Sequence, residues 1–299
     1  MHADQIAIDV ATARALIQSQ FPDLCAETVE PVQGSGTENA IFRVGASACA
    51  RFPLRPSQPG PCLAAIGAQA SAMSAFADRS PVPAPRPLGI GRPGDRYPLP
   101  WMLVSWVPGD VVTPAAMEAS EPFAHDLARL VIALRNSSTG GRRFDGQGRG
   151  GSLTDHDAWV SECIARSATD VDPRRVEALW HALRAMPACG PDVMSHRDLI
   201  PFNLLVHAGR LAGVLDTGQF GPADPALDLV VAWHTLDRPR RAAFRARLGS
   251  GDTEWRRGAA WALQQALGLV WYYRESVPAM SQLGLSTVGR LLSDPDLPR

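Results

Sequence analysis

The chain has 299 residues, 45% of them hydrophobic and 20% charged, with a net charge of −1 and 26 each of glycine and proline. That is enough for two lobes or one large domain with a full core, and it excludes a small stapled scaffold, a disordered tail and a broad cationic surface for nucleic acid. All 29 basic side chains are arginines, so neither a Schiff-base lysine nor the phosphate lysine of a Walker loop exists here.

Five cysteines (25, 49, 62, 163, 189) form an odd set without Cys-x-x-Cys spacing, which argues against zinc and disulfide frameworks. The first ten residues carry Asp4 and Asp9 and lack the basic-then-apolar pattern of a secretion signal. No run of about 18 apolar residues is present. The expectation is a cytoplasmic protein with no membrane and no nucleic-acid partner.

In chain order, residues 9–20 place Val10, Ala13, Leu16 and Ile17 at helical spacing behind Asp9. Residues 28–33, 40–44 and 48–52 read as strands divided by Gly34-Ser35-Gly36 and Gly45. The alanine-rich segment 62–78 predicts a helix, the proline-rich segment 81–87 an extended connection, and 86–90 and 101–107 two more strands. Pro108-Gly109 marks a lobe boundary, giving lobes 1–107 and 108–299. Apolar spacings of three and four predict helices over 121–135, 155–167, 173–186, 225–235, 239–248 and 254–273, with β-type pieces at 193–195, 203–206 and 211–215. Gly140–Gly151, rich in glycine and arginine, reads as a mobile surface loop.

The chemistry concentrates in Ser195-His196-Arg197-Asp198-Leu199-Ile200-Pro201-Phe202-Asn203, which matches the His-Arg-Asp-x-x-x-x-Asn loop of kinases, with Asp216 thirteen residues beyond Asn203. Phosphoryl transfer needs a carboxylate to orient a hydroxyl and accept its proton, and hard oxygen ligands for magnesium. Asp198 suits the first task, Asn203 and Asp216 the second. Read blandly, Asp198 caps a turn and Asp216 ends a strand; that leaves the combined spacing unexplained. Val214-Leu215-Asp216-Thr217-Gly218 also matches one half of an aspartic protease, but no second Asp-Thr-Gly or Asp-Ser-Gly supplies the other carboxylate.

From Gly36-Thr37-Glu38-Asn39-Ala40-Ile41-Phe42-Arg43, through Trp106-Val107-Pro108-Gly109, to Gly221-Pro222-Ala223-Asp224-Pro225-Ala226-Leu227-Asp228-Leu229, the chain resembles the aminoglycoside phosphotransferase family. The resemblance implies an α+β, two-lobed protein-kinase-like fold: a nucleotide-binding lobe with a small antiparallel sheet, then a mainly helical lobe for catalysis and substrate. It implies Asp198 as the catalytic aspartate and Asn203 and Asp216 as Mg2+ ligands. Gly34, Ser35, Gly36 and Arg51 would meet the phosphates of ATP or GTP, and the hinge from Ser105 to Val107 would receive the purine.

The resemblance has departures. Arg51 stands where the family has a lysine, and Gln69 aligns with the helix glutamate that normally pairs with it. No acidic residue lies between Phe52 and Ala77, so either Gln69 hydrogen-bonds Arg51 as a neutral partner or nothing fixes it. Arg197 replaces a frequent glycine. Asp224, before Pro225, reads as a helix N-cap, Asp228 as a brace for the catalytic loop, and His196 as a hydrogen-bonded core residue.

Only seven residues separate Asp216 from Asp224, too few for a peptide-docking segment. The expected acceptor is therefore a small hydroxylated molecule, an aminoglycoside-like antibiotic first. Beyond Gly190, eleven acids face twelve arginines, so bulk charge does not single out a polycation; a macrolide, a peptide antibiotic or a metabolite fits as well. A nucleotide-binding protein without transfer activity is the alternative from another class.

Overall fold

A computed structural model describes residues 5–32 and 38–298. Gly34, Ser35 and Gly36 lie outside the described residues. The chain divides into two compact units: residues 1–78, 83–108 and 216–218 form one, and residues 79–82, 109–215 and 219–299 the other.

The first unit opens with α1 (Val10–Gln20), whose first turn is closed by Asp9 accepting from the Thr12 N–H at 2.7 Å. Strands β1 (Val29–Pro31), β2 (Asn39–Val44) and β3 (Ala48–Pro53) come next, then α2 (Pro59–Ala77), β4 (Pro87–Gly91) and β5 (Trp101–Ser105). The five strands form one antiparallel sheet in the order β1-β2-β3-β5-β4. Alternation along β3 sends Ala50 and Phe52 into the core and leaves Arg51 half-buried on the other face. Phe52 is fully buried, stacked on Trp101 at 4.7 Å between ring centres and meeting Tyr97 edge-on at 5.2 Å. Gly91 is required beside them, because a Cβ there would lie 2.0 Å from the Trp101 ring.

The second unit begins with β6 (Asp110–Val111), α3 (Pro114–Met117), α4 (Glu121–Arg135), α5 (Asp157–Arg166) and α6 (Pro173–Arg184). It continues through β7 (Val193–Ser195), β8 (Leu204–His207), β9 (Arg210–Val214) and β10 (Gly221–Ala223), and closes with α7 (Val230–Thr235), α8 (Arg238–Leu248), α9 (Asp252–Tyr272) and α10 (Pro278–Ser293). The β8–β9 hairpin turns at Ala208-Gly209, both at positive φ (48° and 75°), which matches the twist of the flanking strands. Asp126 of α4 anchors it: the carboxylate takes a two-pronged grip from Arg210 at 2.6 Å on each oxygen and also accepts from the Leu211 N–H. The bond from Arg210 holds the Asp126 carboxyl below its ordinary range. Helix α9 is buried along most of its length, its alanines letting α5, α6, α7 and α10 pack against it.

Two expectations are corrected, and one helix, α10, has no counterpart in the sequence reading. Residues 225–235 are not one helix but a 3-10 turn at Leu227–Leu229 followed by α7. Asp224 is not a helix cap: Oδ1 accepts from the Ala226 N–H at 2.9 Å, while Oδ2 forms a buried ion pair with Arg257 and accepts from Trp261 Nε1 at 3.2 Å. All five cysteines are free: Cys49, Cys62 and Cys163 are buried, Cys189 is half-buried and Cys25 is exposed.

Candidate functional site

In the first unit, Arg51 projects from the outer face of β3 and its Nη2 meets Asp216 Oδ1 at 3.2 Å. Neither alternative read from the sequence holds. The partner of Arg51 is the candidate metal ligand itself, and Gln69 instead packs along Gly218, where a Cβ would lie 3.3 Å from it. Asp216 has φ +54°, a left-handed conformation uncommon for a residue with a side chain, and half of its side chain is exposed. Ser105 and Trp106 spend their backbone N–H groups on Arg86 O and Ser47 O, each at 2.8 Å, while Val107 makes no backbone hydrogen bond among the described residues. Cys49, two residues from Arg51, is buried, and burial pushes its thiol up to about 11, so it offers no nucleophile near neutral pH.

In the second unit, the loop after β7 is held by one carboxylate. Asp228 Oδ1 accepts from Ser195 Oγ (2.8 Å) and the Arg197 N–H (3.2 Å), and Oδ2 from the His196 N–H (3.0 Å). His196 is fully buried, with Nε2 2.9 Å from Leu215 O and Nδ1 accepting from the Asp198 N–H at 3.2 Å; it is a structural residue, as its motif position suggested. Asn203 closes the loop by donating from Nδ2 to Asp198 O at 2.9 Å, and its own carbonyl takes the Leu215 N–H at 2.7 Å. Asp198 and Asn203 are thus brought together, as are Arg51 and Asp216.

Asn203 uses its NH2 group within the loop, so its Oδ1 is the atom left as a donor to a cation; in the other unit, Asp216 keeps an oxygen not engaged by Arg51. Amide and carboxylate oxygens are the donors magnesium prefers, so these residues fit that ion. Among the described residues no cluster of three or more His, Cys, Asp or Glu suggests a further metal site.

Arg197 shows why a glycine is frequent at its position. Its φ is +71°, and the conformation persists because the side chain is tied down on several sides. Nη2 donates to Pro222 O at 2.8 Å and Nη1 to Gln147 O at 3.3 Å, while the guanidinium lies 5.1 Å from the centre of the Phe144 ring and 3.5 Å from Asp145. Burial pulls this guanidinium below the usual arginine range, with Asp145 opposing the shift.

Residues 140–151, read as a mobile surface loop, are a mostly exposed loop tied down at several points. Phe144 N–H donates to Asp192 at 2.7 Å, His156 Nε2 sits 3.0 Å from Gly150 O, and Gly140, Gly141, Gly146, Gly148, Gly150 and Gly151 all adopt positive φ. The segment is a strap folded onto the 196–203 loop. From it Arg149, which no sequence argument singled out, forms an ion pair with the carboxylate of Asp198. Its only signal in the sequence is an arginine set among glycines.

The pattern defining the phosphotransferase enzyme family, APH, matches residues 28–261. The chain belongs to this family. An Escherichia coli aminoglycoside 3'-phosphotransferase is 37% identical over 62 residues, which is 20% of this chain and 23% of that protein. A Salmonella typhimurium aminoglycoside 3'-phosphotransferase is 35% identical over 74 residues, 23% of this chain and 27% of that one. The chain thus spans about a quarter of the length of these curated relatives. Among solved structures, the GDP complex of wild-type aminoglycoside 2'-phosphotransferase-IIIa superposes with a TM-score of 0.68 at 18% identity, covering 96% of this chain and 99% of that one. The macrolide 2'-phosphotransferase MphH of Brachybacterium faecium, as apoenzyme, gives 0.61 at 19%, covering 93% and 97%. The fold is the α+β kinase-like fold of this family.

Proposed function

We propose that the chain is an O-phosphotransferase that moves the γ-phosphate of ATP or GTP to a hydroxyl group of an antibiotic, aminoglycoside-like compounds first. The observation that carries this reading is the loop from His196 to Asn203, held by Asp228 and His196 in a member of a phosphotransferase family. The acceptor oxygen attacks the γ-phosphorus, the bond from that phosphorus to the bridging oxygen breaks toward the nucleoside diphosphate, and Asp198 takes the hydroxyl proton. Asn203 and Asp216 would hold Mg2+, which supplies neutralising charge to the phosphates when bound. Arg51, already at Asp216, would grip phosphate oxygens with its planar fork, and residues 105–107 would receive the purine. Residues 1–107 would serve the nucleotide and 108–299 catalysis and the acceptor. The cytoplasm, where ATP and GTP are supplied, is the matching location; among the described residues no helix is long and apolar enough to cross a membrane.

The macrolide phosphotransferase among the structural neighbours supports a macrolide as the second acceptor reading. The test is nucleotide-dependent phosphorylation across a panel of aminoglycosides and macrolides, with products identified by mass spectrometry. Asp198→Ala lowers kcat by at least about 100-fold; full activity in that variant overturns its role. Binding of Mg-ATP or Mg-GTP with no product from any acceptor supports a nucleotide-binding protein instead.

A further inference from the structure

The strap carries an arrangement that the phosphotransfer reading does not use. Asp198 has only about a quarter of its side chain exposed, and Arg149 lies across the carboxylate. The strap that presents Arg149 is pinned on both sides, through Phe144 and Gln147 to Arg197 and Asp192 and through Gly150 to His156. The six left-handed glycines give its backbone conformations closed to other residues, so the segment between the pins can rearrange without breaking a helix or strand. The charge of Arg149 is also felt by His234, a buried ring on α7 whose Nδ1 bonds Thr287 at 2.9 Å. Gln265 is a side-chain hydrogen-bond partner of the same ring.

We propose that Arg149 is an internal stand-in for the acceptor: the strap rests its guanidinium on Asp198 until an acceptor carrying an ammonium group beside its reacting hydroxyl displaces it. This rests on the reading of Asp198 as the group that takes the acceptor proton. A neutral hydroxyl that displaces Arg149 leaves the carboxylate without a counter-charge, whereas an ammonium-bearing acceptor exchanges one cation for another. Every acceptor must lift Arg149, and a cationic one offsets that cost with its own pairing to Asp198. The latch also disfavours water, so nucleotide hydrolysis without acceptor is held down.

The test uses the full chain with kanamycin and its fully N-acetylated, uncharged counterpart. In hydrogen exchange, Arg149→Ala speeds exchange over 144–151, Arg149→Lys leaves it near wild type, and kanamycin speeds it in the wild type while the acetylated compound does not. In kinetics, Arg149→Ala lowers KM for both compounds by a similar factor of about 2–5, the scale of a partly exposed charge pair that no longer has to be displaced, while kanamycin keeps the lower KM; acceptor-free nucleotide hydrolysis rises. Exchange in Arg149→Ala identical to wild type overturns the latch, and KM values for both compounds left unchanged by Arg149→Ala overturn its competition with the acceptor. If the wild type phosphorylates neither compound, it is the phosphotransfer reading that loses support, and the exchange pattern still decides whether the strap is a latch.

Discussion

Asp228 offers the sharpest test of how the catalytic loop is held. Its two oxygens receive one hydroxyl and two backbone N–H groups, all buried. Asp228→Asn keeps the shape but replaces one oxygen with an NH2 group. If Oδ1 keeps Ser195 and Arg197, the new NH2 faces the His196 N–H, and a buried donor is left unsatisfied at about 1–3 kcal/mol. The two surviving bonds also lose their charge assistance, which brings the total to about 3 kcal/mol, a large part of the ~5–15 kcal/mol that stabilises a typical folded protein. Asp228→Ala removes both acceptor oxygens, and with them three bonds, and costs about 4 kcal/mol or more. Urea denaturation measures the loss. Because His196 and Arg197 lead straight into Asp198, kcat falls by about 100-fold even where the protein remains folded. An Asp228→Asn variant within about 1 kcal/mol of wild type and with full kcat refutes the claim that this carboxylate sets the loop.

Three further perturbations act elsewhere in the second unit. Arg257→Met strands the buried carboxylate of Asp224, which then keeps only the Ala226 and Trp261 donors; a urea midpoint corresponding to a loss of about 3–5 kcal/mol is expected, and a neutral result refutes the pairing argument. Gly258→Ala raises helix propensity yet places a Cβ 2.7 Å from Leu229 Cβ, so overpacking of about 1–3 kcal/mol outweighs the gain and the thermal midpoint falls rather than rises. His234 is held neutral by burial first and the charge of Arg149 second, its pKa pushed down to about 3 from 6.5. The unfolded chain therefore takes up a proton below about pH 6.5 that the folded one refuses. This group's contribution is full above that pH and is lost as pH falls toward 3, at about 1.4 kcal/mol per unit. Stability measured at pH 5 drops by about 2 kcal/mol on this account, and His234→Gln removes that slope.

Some elements were legible because local rules and burial agree there. The strand at 48–52 and the helix start at Asp9 each read the same in sequence and in structure. Helix α10 was not legible: Gly284, Gly289 and its serines and threonine argue against a helix, yet Gly284 is what lets it approach Ala266 O, where a Cβ would lie 2.6 Å away. That is a tertiary reason, invisible in a window of one segment. Asp224 carried a genuine capping signal, but Arg257 and Trp261, one turn apart on α9, claim its other oxygen. For Arg51 the motif supplied the position and not the partner, since Asp216 is 165 residues away. Arg149 was hidden for a related reason: glycine-rich backbone has no periodicity from which the direction of a side chain could be read.

The distribution of thiols has a practical consequence. Cys49 and Cys163 are buried and shifted up to about 11, burial also raises Cys62 and Cys189, and Cys25 alone is exposed. With no lysine amine in the chain, a brief maleimide treatment near neutral pH should place a single dye at Cys25 without mutagenesis. That gives the first unit a fluorescent reporter whose emission can be followed as nucleotide is titrated in.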